Sequence, residues 1–272
     1  MERQPILVLG ATGSTGRRVA GLLRAAGHPV RAASRGGEVR FDWADPASWP
    51  LAVGPATAMY LMAPDGVPVD PAFVAVAAGR GVERIVLLSS GAVEEMGDER
   101  LLSAERAVRE SGAEWTVLRP SWFHQNFSEG FLREPVMSGE IALPLGDLRQ
   151  AFVDAADIAA TAVTALTTDG HHGRTYDLTG PRALTFAEAT EIVARASGRE
   201  IRYVGDPETY AARQHSLGRP PAEVSAEIAA FTALRRRGDD KPTDVVERLT
   251  GHPPKDLVAY ATETAARGAW RD

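Results

Sequence analysis

The sequence predicts an α/β fold: a doubly wound parallel sheet with a small α+β lobe at its C-terminal side. Three observations predict it. Short apolar runs alternate with helical patterns of about ten residues across residues 1–120, the rhythm of repeated strand–helix units. The first run, Ile6-Leu7-Val8-Leu9, passes straight into Gly10-Ala11-Thr12-Gly13-Ser14-Thr15-Gly16 and then into a helical pattern. From about residue 121 the rhythm breaks into an aromatic-rich stretch, short strands and a helical tail.

The glycine stretch carries the most chemistry. Residues 6–9 read as a strand buried on both faces. Gly10 allows a tight turn, Gly13 leaves room for a pyrophosphate against the main chain, and Gly16 lets the next helix pack closely on the strand. The helix start offers unpaired N–H groups and a positive dipole, and the hydroxyls of Thr12, Ser14 and Thr15 add donors. The pattern is GxxGxxG, one residue longer between its first glycines than GxGxxG. Glycines at this spacing also occur in β-to-α turns without a ligand. The preceding strand and following helix are what point to a dinucleotide and a Rossmann-like core.

Bulk properties narrow the class. A chain of 272 residues can bury one large domain, or one with an appendage. Hydrophobic residues make up 44% and charged residues 24%, ordinary values for a globular protein. The net charge of −6 argues against nucleic acid or an anionic membrane as a partner. Cysteine is absent, so thiolate nucleophiles and Cys-based metal sites are excluded. No signal-like segment precedes the first strand, and no apolar run approaches the roughly 20 residues of a membrane span. A cytoplasmic enzyme is the expectation.

After the glycines, Val19, Leu22, Leu23 and Ala26 recur at helical spacing and Gly27 marks the stop. Residues 29–34 form a second strand ending in Ser34-Arg35-Gly36-Gly37. An NAD site places an acid near this strand end for the ribose hydroxyl, whereas an NADP site places an arginine for the 2′-phosphate. No acid precedes Glu38, and Arg35 stands in that place, so NADP(H) is expected over NAD(H). Residues 39–43 form a short third strand whose Asp42 either meets adenine or caps the next turn. Residues 56–62 give a fourth strand, 70–78 a helix, 84–88 a fifth strand leading into Ser89-Ser90, 99–110 an amphipathic helix, and 115–118 a sixth strand closed by Arg119-Pro120. Right-handed crossovers bring the loops after these strands to one edge, where ligands bind.

The lobe begins with Ser121-Trp122-Phe123-His124-Gln125-Asn126-Phe127. Residues 152–154 are expected as a short strand, with Asp157 capping a helix to about residue 166. Residues 176–178 form another strand, and Thr185-Phe186-Ala187-Glu188 is a capping box opening a helix that stops at Gly198. A strand at 201–204 and helices near 207–215, 222–237, 243–249 and 255–266 complete the chain. The expected organisation is a dinucleotide-binding core over 1–120, with sheet-contributing pieces near 151–180. A smaller substrate-covering lobe spans 121–272, and the two form one integrated domain.

These residues resemble the NmrA-like group of atypical short-chain dehydrogenase/reductases. The matching pieces are Gly10 to Gly16, the run from Ser111 to Pro120 followed by Phe123 and Asn126, the run Phe152-Val153-Asp154-Ala155-Ala156-Asp157-Ile158-Ala159, and Leu178-Thr179-Gly180-Pro181. The resemblance implies NADP(H) extended along the strand edge, held by the glycines at the pyrophosphate and by Arg35 at the 2′-phosphate. It also implies that Met62, Ala63, Pro64 and Ser89 border the ribose and nicotinamide, and that Pro120, Trp122 and Phe123 wall the nicotinamide pocket. Members of the group include quinone and azo-dye reductases, reductases of enones and imines, and redox-sensing regulators.

The ordinary short-chain dehydrogenase uses a serine, a tyrosine and a lysine, the lysine lowering the tyrosine pKa for proton transfer. Ser89 or Ser90 supplies the serine, but no Tyr-x-x-x-Lys follows, and both lysines, Lys241 and Lys255, lie in the tail. Hydride transfer to a quinone, conjugated enone or iminium needs little acid help. The expectation is therefore a reductase of a flat conjugated acceptor, with Ser90, Trp122, Asn126 and Phe127 against the substrate. His124 is the one weak candidate for a proton donor. No metal site is expected: His171-His172 lacks acids at ligand spacing. Two alternatives stay open, a redox sensor that binds NADP(H) without turnover and a cofactor-assisted isomerase. The expected partner is a small aromatic or conjugated substrate, and a homodimer is left open.

Overall fold

Ile6–Leu9 (β1) is buried along its whole length and pairs in parallel on both sides. The computed structural model describes residues 3–271. On one side of β1 lie Val30–Ser34 (β2) and Val39–Arg40 (β3). On the other lie Ala58–Leu61 (β4), Arg84–Leu88 (β5), Glu114–Pro120 (β6) and Arg174–Leu178 (β9). The resulting order is β3-β2-β1-β4-β5-β6-β9, and every pairing in it is parallel. The chain order reverses between β1 and β4, the switch point at which an open α/β sheet leaves a crevice.

Alternation along each strand builds two cores. Leu7 and Leu9 join Met59, Leu61, Ile85 and Leu87 on one face, covered by Trp49–Val53 (α2), Pro71–Gly79 (α3) and Glu99–Arg109 (α4). Ile6 and Val8 join Tyr60, Val86 and Leu118 on the other, under Ser14–Ala25 (α1), Ala155–Thr167 (α6) and Val245–Thr250 (α10). Burying each such aliphatic side chain contributes roughly 1.5–3 kcal/mol, so both faces hold their helices firmly.

A third core lies outside the sheet. Phe127, Phe152 and Phe186 form its aromatic centre with Tyr210, Tyr260 and Trp270. It is framed by Phe186–Ser197 (α7), Pro207–Ser216 (α8), Pro221–Arg237 (α9) and Leu257–Ala266 (α11). Glu140–Ala142 (β7) pairs in parallel with Arg202–Val204 (β11), and Arg149–Gln150 (β8) pairs antiparallel with Leu184–Thr185 (β10).

Several boundaries differ from the sequence expectation, each for a local reason. The third strand stops at Arg40 because Phe41 and Trp43 turn inward, ring centroids 4.9 Å apart, to meet Phe73. The strand expected at residues 152–154 is a single bridge from Val153 to Phe123, since Asp154 already caps α6 by accepting from Ala156 N–H at 2.7 Å. Asp157 is therefore not the cap. It sits in the first turn and accepts from Lys255 N–H at 2.7 Å.

Candidate active site

At the switch point the chain leaves β1 through Gly10, with φ +61°, and a β-carbon there would lie 2.2 Å from Met62 Sδ. A β-carbon on Gly16 would lie 2.2 Å from the Gly10 carbonyl oxygen, so helix and turn touch main chain to main chain. Gly13 caps α1 without a side-chain hydrogen bond, and no acid occupies the first turn. The first-turn N–H groups and the dipole are left for an anion. Thr15 is buried and its Oγ1 accepts from Tyr60 Oη at 2.9 Å, which leaves the Thr15 hydrogen free to donate. Tyr60 is fully buried, with its pKa pushed up by burial, and serves as this prop.

At the end of β2, Ser34 Oγ is buried with no hydrogen-bond partner. Arg35 is exposed beside it and, among the described residues, makes no ion pair or side-chain hydrogen bond. An orphaned hydroxyl next to an uncommitted guanidinium fits a phosphorylated ribose. Asp42 caps its own turn, accepting from Ala44 N–H at 3.0 Å, which is the second of its two expected uses.

From Ser14 and Thr15 a cavity of about 920 Å³ runs past the ends of β4, β5, β6 and β9 into the lobe. Met62, Ala63, Pro64, Ser89, Ser90, Pro120, Trp122, Phe123 and Asn126 all line it. Trp122 is pinned by its indole N–H to Gln150 Oε1 at 2.9 Å and meets Phe186 edge-on at 5.1 Å. Phe131, more than half exposed, stands 6.1 Å from Trp122 and extends the apolar wall. The far wall is a strap of residues 238–243. Asp240 Oδ2 accepts from Ser121 Oγ at 2.8 Å and from Ala151 N–H at 3.1 Å, and Thr243 Oγ1 donates to the Asp177 carbonyl at 2.8 Å.

Two expected site residues are not on this wall. Phe127 is fully buried in the lobe core against Phe152 and Phe186, so it supports the wall from behind. His124 is also fully buried, with Nε2 3.1 Å from the Phe152 carbonyl. A carbonyl only accepts, so Nε2 carries the hydrogen, and Nδ1 is left without a partner 3.8 Å from Asp154 Oδ2. Burial pushes Asp154 up, but the facing His124 ring, Ala156 N–H and the Gln125 amide outweigh it and hold the carboxyl at about 2. His124 through the Phe152 carbonyl, and Gln125 through Asp154 and Ala155 N–H, tie the segment after β6 to the start of α6. The His124–Asp154 pair has no access to a substrate.

Behind Ser89 and Arg119 on the wall lies a charged cluster that the sequence reading passed over. Ser89 Oγ donates to Glu105 Oε1 at 2.7 Å, and Glu105 is fully buried. Arg119 meets both Glu105 oxygens, at 2.8 and 2.7 Å, and both Glu94 oxygens, at 3.1 and 2.7 Å. Arg109 adds a contact to Glu105 at 2.7 Å. Burial would raise the Glu105 pKa, but hydrogen bonds from Arg119 and Ser89 overcome it and leave the carboxyl below its ordinary value. A signal existed: Glu105 falls on the helix stripe of Leu101, Ala104 and Val108, where an acid demands a buried cation. Asp177 and Lys241 reach the wall through tertiary folding alone, with no local signal.

No family model matches the chain. It is 37% identical over 280 residues to the uncharacterised oxidoreductase YesF of Bacillus subtilis, covering 98% of this chain and 97% of that one. It is 36% identical over 282 residues to the (4-alkanoyl-5-oxo-2,5-dihydrofuran-3-yl)methyl phosphate reductase of Streptomyces griseus, covering 96% and 98%. The chain belongs to the NmrA-like atypical short-chain dehydrogenase/reductases. It is an oxidoreductase of that group. In fold it matches an NADPH-dependent quinone oxidoreductase of Escherichia coli, solved with NADPH, with a TM-score of 0.74 at 22% identity over 95% of this chain and 99% of that one.

The NmrA-like motifs find their physical reason in this geometry. Pro120, the start of the 152–159 run and the 178–181 run converge at one point. Ser121 N–H donates to the Leu178 carbonyl at 2.9 Å, and Gly180 N–H to the Ala151 carbonyl at 3.2 Å. A β-carbon on Gly180 would lie 2.0 Å from the Phe152 oxygen, so only glycine lets these segments meet. The atypical character is equally visible. α4, which follows the strand-end serine, places Glu105 where its carboxylate accepts the Ser89 hydroxyl hydrogen bond. Among the described residues, no tyrosine or histidine lines the cavity.

Proposed function

We propose that the protein is an NADPH-dependent reductase that delivers hydride to a planar conjugated small molecule of the quinone, enone or iminium type. The observation that carries this reading is the wall itself. An aromatic-lined cavity opens directly from the dinucleotide loop, and its strand-end serine already spends its one hydrogen-bond donor on Glu105. Bound NADPH supplies the hydride. The first-turn N–H groups of α1 and the free hydrogen of Thr15 hold the pyrophosphate, and Ser34 with Arg35 holds the 2′-phosphorylated ribose. Ser89, donating to Glu105, turns its lone pairs outward and can only accept from a bound group. Trp122 and Phe131 offer flat faces to the acceptor. The relatives support this choice of acceptor: a 5-oxo-2,5-dihydrofuran is an α,β-unsaturated lactone, and a quinone is flat and conjugated. Among the described residues no helix is long and apolar enough to cross a membrane.

The test is NADPH oxidation, followed by absorbance, with purified protein and a panel of quinones, enones and iminium salts. Deuterium should pass from labelled NADPH to the product. Tight NADPH binding with no acceptor reduced would instead favour a sensor, and product formed with catalytic cofactor would favour an isomerase. For the cofactor, Arg35→Asp should weaken NADPH about tenfold relative to NADH, the size of a charge-assisted hydrogen bond. An unchanged preference would remove Arg35 from the site.

A further inference from the structure

Among the charged groups on the acceptor wall, Asp177 stands beside two arginines that are both committed elsewhere. It stands at the C-terminal end of β9, in register with Arg119 of β6, and its side chain lines the cavity. Four charged groups face it: Arg119 on β6, Glu94 in the loop after β5, Arg237 at the end of α9, and Asp240 on the strap. Neither arginine is available to it. Arg119 is held by Glu105 and Glu94, and Arg237 by Asp240 at 2.7 Å and Glu95 at 3.3 Å. Among the described residues the Asp177 carboxylate makes no hydrogen bond or ion pair, although its main-chain oxygen is bound by Thr243. The side chain is exposed, but the groups packed around it strip part of its hydration and raise its pKa above the ordinary aspartate value, with Glu94 and Asp240 adding to the rise and the two arginines opposing it. In its ionised form the Asp177 carboxylate draws positive charge into the cavity.

On the reductase reading of this cavity, we propose that Asp177 is a specificity-determining residue that selects acceptors carrying a delocalised positive charge, such as iminium ions. Filling the cavity with a flat molecule strips water from the carboxylate, which costs least when that molecule brings a matching cation. The chemistry fits the wall. Hydride addition to a cationic acceptor forms one C–H bond with the electron pair released from the dinucleotide's own C–H bond. The acceptor loses its positive charge, the dinucleotide gains one, and no proton is exchanged with water. A wall without tyrosine or histidine is then complete as it stands. Lys241 is also on the wall and is the natural anchor for an anionic acceptor, such as the phosphate-bearing substrate that the Streptomyces relative is named for. It hangs from the strap, whereas Asp177 is fixed by the sheet.

The experiment compares wild type, Asp177→Asn and Asp177→Glu, each with NADPH, on a dihydroisoquinolinium salt, menadione and a naphthoquinone sulfonate. Asparagine should lower the ratio of kcat/KM for the cation to that for menadione by about tenfold, mostly through KM, and glutamate should restore much of it. In wild type the same ratio should fall as pH drops through the Asp177 pKa, and in Asp177→Asn it should stay flat. Titration calorimetry of the iminium salt into protein with NADP+ should show the same loss of affinity without turnover. An unchanged ratio in Asp177→Asn, or a wild type that prefers the sulfonate to the cation, overturns the role of Asp177 while leaving the reductase reading intact. A wild type that reduces none of the three overturns both.

Discussion

At the glycine-loop end of the cavity the binding groups belong mainly to the main chain, whereas at the acceptor end they belong to side chains drawn from five separate stretches. The loop end is continuous in sequence: β1, the turn at Gly10 and the first turn of α1. Its specificity comes from what is missing, β-carbons at Gly10 and Gly16 and a cap at Gly13. The acceptor end is assembled from Ser89, Glu105, Trp122, Asp177 and the strap at 238–243; Ser89 and Trp122 are held by side chains distant in the chain, and the strap binds Asp177 only at its main-chain oxygen. Main-chain recognition suits a ligand that does not change. Side-chain recognition lets the acceptor vary on one scaffold, which is how a single fold serves many reductions.

The strongest way to break the first region is to add one carbon. In Gly16→Ala the new β-carbon falls 2.2 Å from the Gly10 oxygen and 2.6 Å from its carbonyl carbon, so either the helix or the turn must shift. NADPH affinity should drop by roughly 100-fold, because every phosphate donor moves together, with about 2 kcal/mol of stability lost to overpacking. Fluorescence titration and thermal melts measure the two parts. Normal affinity would mean that the loop does not bind the pyrophosphate.

The second region breaks through charge. Glu105→Gln keeps the shape of the side chain but leaves Arg119 and Arg109 short of a counter-charge in a buried site, at a cost of about 3 kcal/mol. Because the Glu105 pKa is lowered in the fold, its stabilisation is fully present above the ordinary glutamate pKa and is lost as pH falls through the lowered value. Melting curves against pH should therefore show an acid-sensitive component in wild type that shrinks in Glu105→Gln. NADPH affinity should change little, since no atom of the glycine loop takes part.

The same contrast governs what could be read from the sequence. The strand–loop–helix at residues 6–25 was legible because its signals are local: apolar run, glycines, then helical spacing. The place of Arg35 just past a strand end was legible, and so was the Thr185 box by its own spacing, since Thr185 Oγ1 accepts from Glu188 N–H at 3.1 Å. Asp177 and Lys241 were not, because each reaches the cavity only after the chain has crossed back over the sheet. Phe127 and His124 were misplaced for a related reason. Their segment alternates between cavity and core, and only the packing of Phe152 and Tyr260 decides which side each takes. Glu105 was readable in principle, as an acid on an apolar stripe, but its partner Arg119 sits on a different strand.

One contact joins the two regions and gives the smallest expected effect. Glu129, in the loop that carries Asn126 and Phe131, accepts from Arg17 and, at 2.8 Å, from Arg18 in the first turns of α1. Arg18 also donates to the Ser14 carbonyl at 2.6 Å, so the clasp reaches the helix start proposed to hold the pyrophosphate. Burial opposes ionisation of Glu129, but the two arginines prevail and its pKa is lowered. The clasp is therefore intact at neutral pH and weakens as pH falls below the ordinary glutamate range. All three side chains are partly exposed, so screening limits its worth to about 0.5 kcal/mol. Glu129→Gln should leave melting nearly unchanged and speed NADPH dissociation about twofold, read by stopped-flow displacement. A larger acceleration, with equilibrium affinity for the acceptor also reduced, would mean that the acceptor loop closes over the cofactor and that the two regions act as one. No change in either rate would leave them independent, joined only by the sheet beneath.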